Sequence, residues 1–498
     1  MQRTRETGDR VLLQPVFPGM QKDFTILPEG RSFVEVMGHK QEFLQGLTVL
    51  RVCDRYGITN DHEGSLVAGG LEIHISQLDR SLARYYPIHI HVACLADKGD
   101  ETVVPLKDGG WKGDITIHPI RHIGSNPFLH SRRILKLAEE VEADIVHLHN
   151  PNNPMNVSVA RQLSKRGTGL AITFHSQHKP KNQDGADGGV VRGGDFGRLR
   201  RIFQEHWADG GVPGIFSFGL DVAVRFLSRF YKTKRETIYE IAGERGQTGF
   251  ISYGLVGVGE ASLGEFGGRD SIVIGRPMDS EFFDPEKVSG ETKAGLRKRY
   301  GLGDGTKVVV VHARITPVKG QDLLPAVAQA MRDRMGGDFK FILKGTFQDD
   351  NFISGLRADV EKRGLRNNFI IEEAGNQEEI RDLLSIADLD LMASRGEGLG
   401  GQGIEALLMR VPVVAHRVGG IPSFVKDGET GYLVEFGDTE AMAEKAVETL
   451  TDPKKARRMG ERGRELCVSL FSAKKVCENY LSLVYGPQAL RKWEASGK

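Results

Sequence analysis

Cysteine is scarce. The chain has four in 498 residues, Cys53, Cys94, Cys467 and Cys477, and none stands in a CxxC pair. That spacing argues against a disulfide framework or a structural zinc site and fits a reducing compartment. Long apolar runs are missing too: no stretch approaches the ~18 uninterrupted apolar residues of a membrane span. The opening segment, MQRTRETGDRVLLQPVF, has basic residues but no apolar run behind them, so it does not read as a signal peptide. The expected location is cytoplasmic, without stable membrane insertion. An excess of one charge is also lacking, with 67 Lys plus Arg against 66 Asp plus Glu. No global field would draw nucleic acid or anionic lipid, and a nucleic-acid partner is not expected. What remains, 39% hydrophobic and 27% charged residues, is the make-up of a soluble globular enzyme. The length suits about two to three domains.

Short β-rich runs alternate with helical periodicity. LTVLRVCD (47–54), IHIHVACLA (88–96), DIVHLH (144–149) and GLAITFHS (169–176) read as strands. LEIHISQLDRSLARYY and SRRILKLAEEVEA between them read as helices. The pattern implies a parallel sheet with right-handed crossovers. It breaks in a polar, glycine-rich stretch at 179–197, read as a loop, and in an apolar glycine-rich stretch at 244–270 that has no assignment. It restarts after 272–287. KVVVVHAR (307–314), FKFILKG (339–345), FIIEEA (369–374), LDLMAS (389–394), VPVVAH (411–416) and YLVEF (432–436) make a second parallel sheet. The expected division is an extension at 1–45, α/β domains at 46–280 and 281–470, and a last helical segment at 471–498 that packs back on the first domain.

Chemistry concentrates in SRGEGLGGQGIEALLM. Glu397 follows a strand, Glu405 lies in the next helix, and GLGGQGI between them is a glycine-rich turn. Such a turn offers backbone N–H groups and a positive dipole end. The two acids could accept hydrogen bonds from a hexose in front and a ribose behind. Tight packing alone would also explain the glycines. Gly398, Gly400 and Gly403 spell GxGxxG, which leaves a dinucleotide site open, although the strand that follows ends in His416 and Arg417 rather than an acid. In HARITPVKGQD, Arg314 and Lys319 are two cations at a strand end, suited to a diphosphate or simply a solvated loop.

In order, Arg314-x4-Lys319, Glu397-x7-Glu405 and GGIPSFVKDGETGYLV resemble the retaining GT-B glycosyltransferases of family four, the group that includes sucrose and mycothiol-pathway synthases. The likeness covers most of residues 305–450. It implies an α/β GT-B fold: two Rossmann-like domains whose parallel sheets face each other across a cleft. It implies that Arg314 and Lys319 grip the donor diphosphate. Glu397 and the backbone of Gly398, Leu399 and Gly400 would hold the transferred sugar, and Glu405 the ribose hydroxyls. Gly69-Gly70-Leu71-Glu72 resembles the family GGxE loop that approaches the phosphates, and His175 matches a histidine beside the donor sugar; both also fit ordinary structural roles. His147 and His149 read more simply as one buried and one exposed strand histidine. The sequence departs from the family at Ala313, where a glycine is usual, and at Arg276-Pro277-Met278-Asp279, where Asn-Gly is usual. Residues 180–270 follow it poorly.

The resemblance implies a nucleotide-sugar donor, UDP-sugar by default, and transfer with retention. Arg314 and Lys319, with helix N-termini, would stabilise the leaving diphosphate. No cofactor and no metal are expected; the one tempting DxD, Asp388-Leu389-Asp390, spans a helix end and a strand start. The acceptor is open, with a lean to a small soluble molecule, and a homo-oligomer is allowed. An NAD(P)-dependent oxidoreductase, a sugar-nucleotide epimerase and a non-catalytic sensor remain as alternatives.

Overall fold

A strand in a parallel sheet is covered on both faces, so its apolar residues run on without alternation. The computed structural model of the chain bears this out. It describes residues 46–53, 70–96, 102–103, 111–121, 127–149, 159, 162–163, 169–174, 248–252, 271–272, 275–374, 376–481 and 485. His175 and Gly69 lie outside them, as do the extension 1–45 and the loop 179–197.

The first sheet contains β1 (Leu47–Cys53), β2 (Ile88–Ala96), β3 (Thr102–Val103), β4 (Asp114–Arg121), β5 (Ile145–His149), β6 (Gly169–Phe174), β7 (Thr248–Ser252) and β8 (Ser271–Ile272). The order is β3-β4-β2-β1-β5-β6-β7-β8, and only β3 runs antiparallel to its neighbour. Side chains alternate across it. Val49 and Cys53 of β1 pack with Ile75, Leu78 and Leu82 of helix α1 (Gly70–Tyr85). Leu50 and Val52 pack on the other face with Ile134 and Leu135 of helix α2 (Pro127–Glu140). β7 falls inside the stretch 244–270 that the sequence left unassigned.

The second sheet contains β9 (Lys307–Val311), β10 (Phe339–Lys344), β11 (Phe369–Glu372), β12 (Leu389–Met392), β13 (Val413–His416) and β14 (Gly431–Val434), in the order β11-β10-β9-β12-β13-β14. All its pairings are parallel. Helix α3 (Gly290–Arg299) precedes it. Helices α4 (Leu324–Met335), α5 (Asp350–Lys362), α6 (Gln377–Leu384), α7 (Gly401–Leu408), α8 (Thr439–Thr451) and α9 (Pro453–Phe471) connect and cover it. Several start on a side-chain cap that satisfies an otherwise unpaired N–H: Asp349 for Phe352, Asn376 for Glu379 and Asp438 for Ala441. Val309 and Val311 join the core under α4 and α8, while Val308 and Val310 face α7 and α9.

Two segments cross between the sheets side by side. Met278 N–H donates to the Phe471 carbonyl at 2.8 Å, and Ala473 N–H donates to the Met278 carbonyl at 3.0 Å. Beyond Ser472, helix α10 (Ala473–Tyr480) packs on α1, and Val476, Cys477, Tyr480, Leu481 and Tyr485 complete the core of the first sheet.

That core also holds a buried charge. Arg51 in β1 is fully buried and pairs with Asp79 of α1, with His147 and His149 of β5, and with the Tyr485 hydroxyl at 3.0 Å. Both histidines are buried, not one buried and one exposed, and their rings stack at 4.4 Å. The reason is the strand repeat: residues two apart share a face. Burial pulls the Arg51 guanidinium down, and Asp79, foremost among its anionic neighbours, more than reverses this, so its affinity for the proton ends above the ordinary range. Removing one partner of a buried ion pair strands the other and costs about 3–5 kcal/mol. Asp79→Asn should therefore lower the free energy of unfolding by ~3 kcal/mol or more, read from urea melts; an unchanged midpoint would show that the cluster is energetically neutral.

Candidate active site

In an open α/β sheet ligands bind beyond the carboxyl ends of the strands, where the strand order reverses and adjacent loops part. In the second sheet this point lies between β9 and β12. The loop leaving β9 carries Arg314 and Lys319; the loop leaving β12 carries Glu397, Gly398, Leu399 and Gly400.

Lys319 ends a single helical turn, Pro317–Lys319, which Gly320 closes at φ +69°. A Cβ on Gly320 would run into the Ala393 carbonyl oxygen at the end of β12. The two loops therefore touch through backbone. Arg395 fastens them: its N–H donates to the Val318 carbonyl at 2.9 Å, and its guanidinium forks onto both Asp322 oxygens at 2.8 and 2.7 Å. Lys319 Nζ then reaches Glu397 Oε1 at 2.6 Å, and Ser394 Oγ donates to the same oxygen at 2.7 Å. Glu397 is 8% exposed and Lys319 17%, so the pair is largely shielded from solvent. Arg314 is not part of this pair. It is exposed, and its Nη1 lies 3.5 Å from Gln348 after β10.

The GGIP glycines have a steric purpose. Gly419, at φ +53°, sits where a Cβ would strike the Glu397 carbonyl oxygen, and a Cβ on Gly420 would lie 2.6 Å from that of Gly398. Gly400, at φ +93°, is the left-handed residue that starts α7. Gly403 gives close packing: a Cβ there would lie 2.7 Å from both Met392 Sδ and Phe424 Cε2. His416 steadies the Glu397 loop from below. Its Nδ1 lies 3.2 Å from the Ser394 carbonyl, and Gly437 N–H donates to its Nε2 at 3.3 Å. Burial lowers its pKa, so the ring is neutral, with its proton on Nδ1.

Glu405 lies one turn into α7, and Oε2 is 3.1 Å from His312 Nε2. His312 Nδ1 is 3.1 Å from Asp390 Oδ2, and Gln402 Nε2 donates to both Asp390 oxygens at 3.1 and 3.2 Å. Burial pulls the His312 pKa down, but hydrogen bonds to Asp390 and Glu405 raise it to about 9, so the ring is an imidazolium at neutral pH. His312 was missed by the sequence reading. The signal was strand alternation: it continues the Val308–Val310 face that looks toward α7. Arg276 adds a cation here. It donates to Gln77 of α1 at 3.0 and 3.2 Å, and its Nη1 lies 3.0 Å from where a Cβ of Gly401 would be. Burial lowers its pKa, opposed by Glu405.

The DxD acids serve the fold. Asp388 accepts the Val308 N–H at 2.8 Å, and Asp390 holds His312 and Gln402. Among the described residues no group of three or more His, Cys, Asp or Glu is disposed to hold a metal ion, and no helix is long and apolar enough to cross a membrane. Gly70 opens α1.

Two Rossmann-type parallel sheets place the chain in the GT-B class of sugar-transferring enzymes. Residues 293–466 match the family described as "Glycosyl transferases group 1", and residues 68–206 match "Glycosyltransferase Family 4". Together the two matches span more than half of the sequence, and the chain belongs to the family 4 glycosyltransferases. It is similar to an N-acetyl-alpha-D-glucosaminyl L-malate synthase of Bacillus anthracis, 33% identical over 41% of this chain and 52% of that protein. It is also similar to a GDP-mannose-dependent alpha-(1-6)-phosphatidylinositol monomannoside mannosyltransferase of Mycolicibacterium smegmatis, 34% identical over 38% of this chain and 49% of that one. The chain thus spans about half the length of these curated relatives. In fold it resembles the Anabaena protein HepE, solved in complex with UDP, with a TM-score of 0.62 and 16% identity over 89% of this chain and 100% of that one.

A histidine raised from 6.5 to about 9 on folding stabilises the folded state fully below pH ~6.5 and loses that contribution as pH rises through 9. Between pH 6.5 and 9, unfolding free energy should therefore fall more steeply in the wild type than in His312→Gln; parallel profiles from guanidinium melts would refute the imidazolium.

Proposed function

We propose that the chain is a retaining, metal-independent hexosyltransferase that moves a sugar from a nucleotide-sugar, UDP-sugar by default, to a small soluble acceptor. The observation that carries this reading is the Lys319–Glu397 pair at 2.6 Å, set beside the start of α7 at the β9/β12 switch point. Breaking a glycosyl phosphate bond leaves negative charge on the diphosphate and positive charge on the ring. Arg314, Lys319 and the N-terminus of α7 stabilise the first. They do the work a divalent cation does elsewhere, and Asp388 and Asp390 are already engaged within the fold.

Glu397 accepts hydrogen bonds from sugar hydroxyls, with Gly398, Leu399 and Gly400 offering backbone groups around it. By the family resemblance, Gly69, Gly70 and His175 are the candidates for donor contact contributed by the first half of the chain. Glu405 takes the ribose hydroxyls. The acceptor oxygen attacks from the face the phosphate leaves, and the departing phosphate oxygen takes its proton. Glu397 and Glu405 address different parts of the donor, so a covalent glycosyl intermediate of the glycosidase kind, which needs two acids flanking one bond, is disfavoured. Closure of the domains excludes water and limits donor hydrolysis. The small-acceptor reading rests on α1, which carries only scattered basic residues, not the basic face of a membrane-surface helix.

Thermal shifts with UDP, GDP and their sugars select the donor, and mass spectrometry of acceptor mixtures finds the product. Lys319→Ala and Glu397→Ala should each lower transfer by ~100-fold or more with unchanged circular dichroism, and proton NMR should show the anomeric configuration retained. Full turnover in both variants, or an inverted product, would overturn the reading.

A further inference from the structure

Glu405 has one occupied oxygen and one open one. Oε2 meets His312, while Oε1 has no hydrogen-bond partner among the described residues, and the side chain keeps 14% exposure. Behind it runs a chain of contacts into the protein. His312 bridges Glu405 and Asp390, Asp390 is fully buried, and Gln402 ties Asp390 to the Leu391 carbonyl at 3.2 Å. Gln402 and Glu405 are three residues apart on α7 and so face the sheet together. His312 closes this circuit between strand and helix. Without it Glu405 would be free to rotate, because a glutamate has three side-chain torsions and one anchored oxygen.

We propose that His312 is a positioning residue for nucleotide recognition: it clamps Glu405 Oε2 so that Oε1 faces the ribose diol, and thereby sets a preference for ribo- over deoxyribonucleotides. The inference rests on the reading above that Glu405 receives the ribose hydroxyls. Its charge setting suits the task. His312 lies between Glu405 and Asp390, and Arg276 lies near the start of α7, so two cationic side chains face the two acidic ones. Hydrogen bonds to a charged acceptor are the stronger kind, and a site built to receive a hydroxyl discriminates against its absence.

Two isosteric variants separate the two ring nitrogens. In His312→Gln the amide nitrogen replaces Nε2 and still reaches Glu405. In His312→Asn it replaces Nδ1, keeping Asp390 and losing Glu405. Calorimetric titration of the full chain with UDP and GDP, and with the 2′-deoxy and 3′-deoxy forms of whichever binds more tightly, reads the preference. The wild type should prefer the ribonucleotide over at least one deoxy form by roughly tenfold or more. Glu405→Ala and His312→Asn should lose that preference, and His312→Gln should keep most of it. Donor KM should rise in His312→Asn by about the same factor, with kcat changed by less than about threefold.

A wild type or a Glu405→Ala variant that gives the opposite result refutes the ribose role of Glu405, and the inference with it. Lost preference in Glu405→Ala but not in His312→Asn overturns the inference alone. Equal loss in both His312 variants also overturns it, since a merely structural histidine would not distinguish them. Thermal melts of each variant identify any loss that comes from unfolding.

Discussion

Backbone meets backbone where the loops leaving β9 and β12 part. Gly320 lies against the Ala393 carbonyl, and Gly419 and Gly420 lie against the carbonyls of Glu397 and Gly398. At these places a side chain would force the loops apart by the width of a methyl group. Because the approach is so close, a lysine on one loop can hold an acid on the other within a single hydrogen bond, and Arg395 can span both. The site is thus a product of steric permission first and of charge second.

Charge then has to be settled inside the second domain. A carboxylate removed from water is costly unless paired and hydrogen-bonded. Glu397 is met by Lys319 and Ser394, and Asp390 by His312 and Gln402. The first domain follows the same rule around Arg51, but with the opposite sign at its centre. Both clusters lie near the carboxyl ends of central strands, where a doubly wound fold leaves room between sheet and helix.

Much of this was legible in the sequence. KVVVV, FKFILK and LDLM announced central parallel strands because they carry apolar residues for two covered faces. The order of Arg314, Lys319, Glu397 and Glu405 placed them at the carboxyl edge of β9 and β12, since short loops after known strands fix which residues share an edge. β4 escaped notice: DITIHPIR mixes Asp, Thr, His and Pro into its run, as suits a strand whose outer neighbour is only the two-residue β3. Arg51 and Asp79 gave no local sign, being 28 positions apart and joined only by tertiary packing. His312 could have been placed by alternation, but its two acids come from β12 and α7, and only the fold brings them to it.

The paired crossovers at Met278 and Ser472 have a consequence for synthesis. The first sheet is translated early, but one side of it is covered by α10 and Tyr485, and Arg51 waits for a partner 434 positions downstream. Until that stretch leaves the ribosome, the core between the first sheet and α1 lacks Val476, Cys477, Tyr480, Leu481 and Tyr485, whereas the cores on both faces of the second sheet are built from residues 278–471. A protein built this way finishes its beginning last, and its early half is the part for which a chaperone has most to shield.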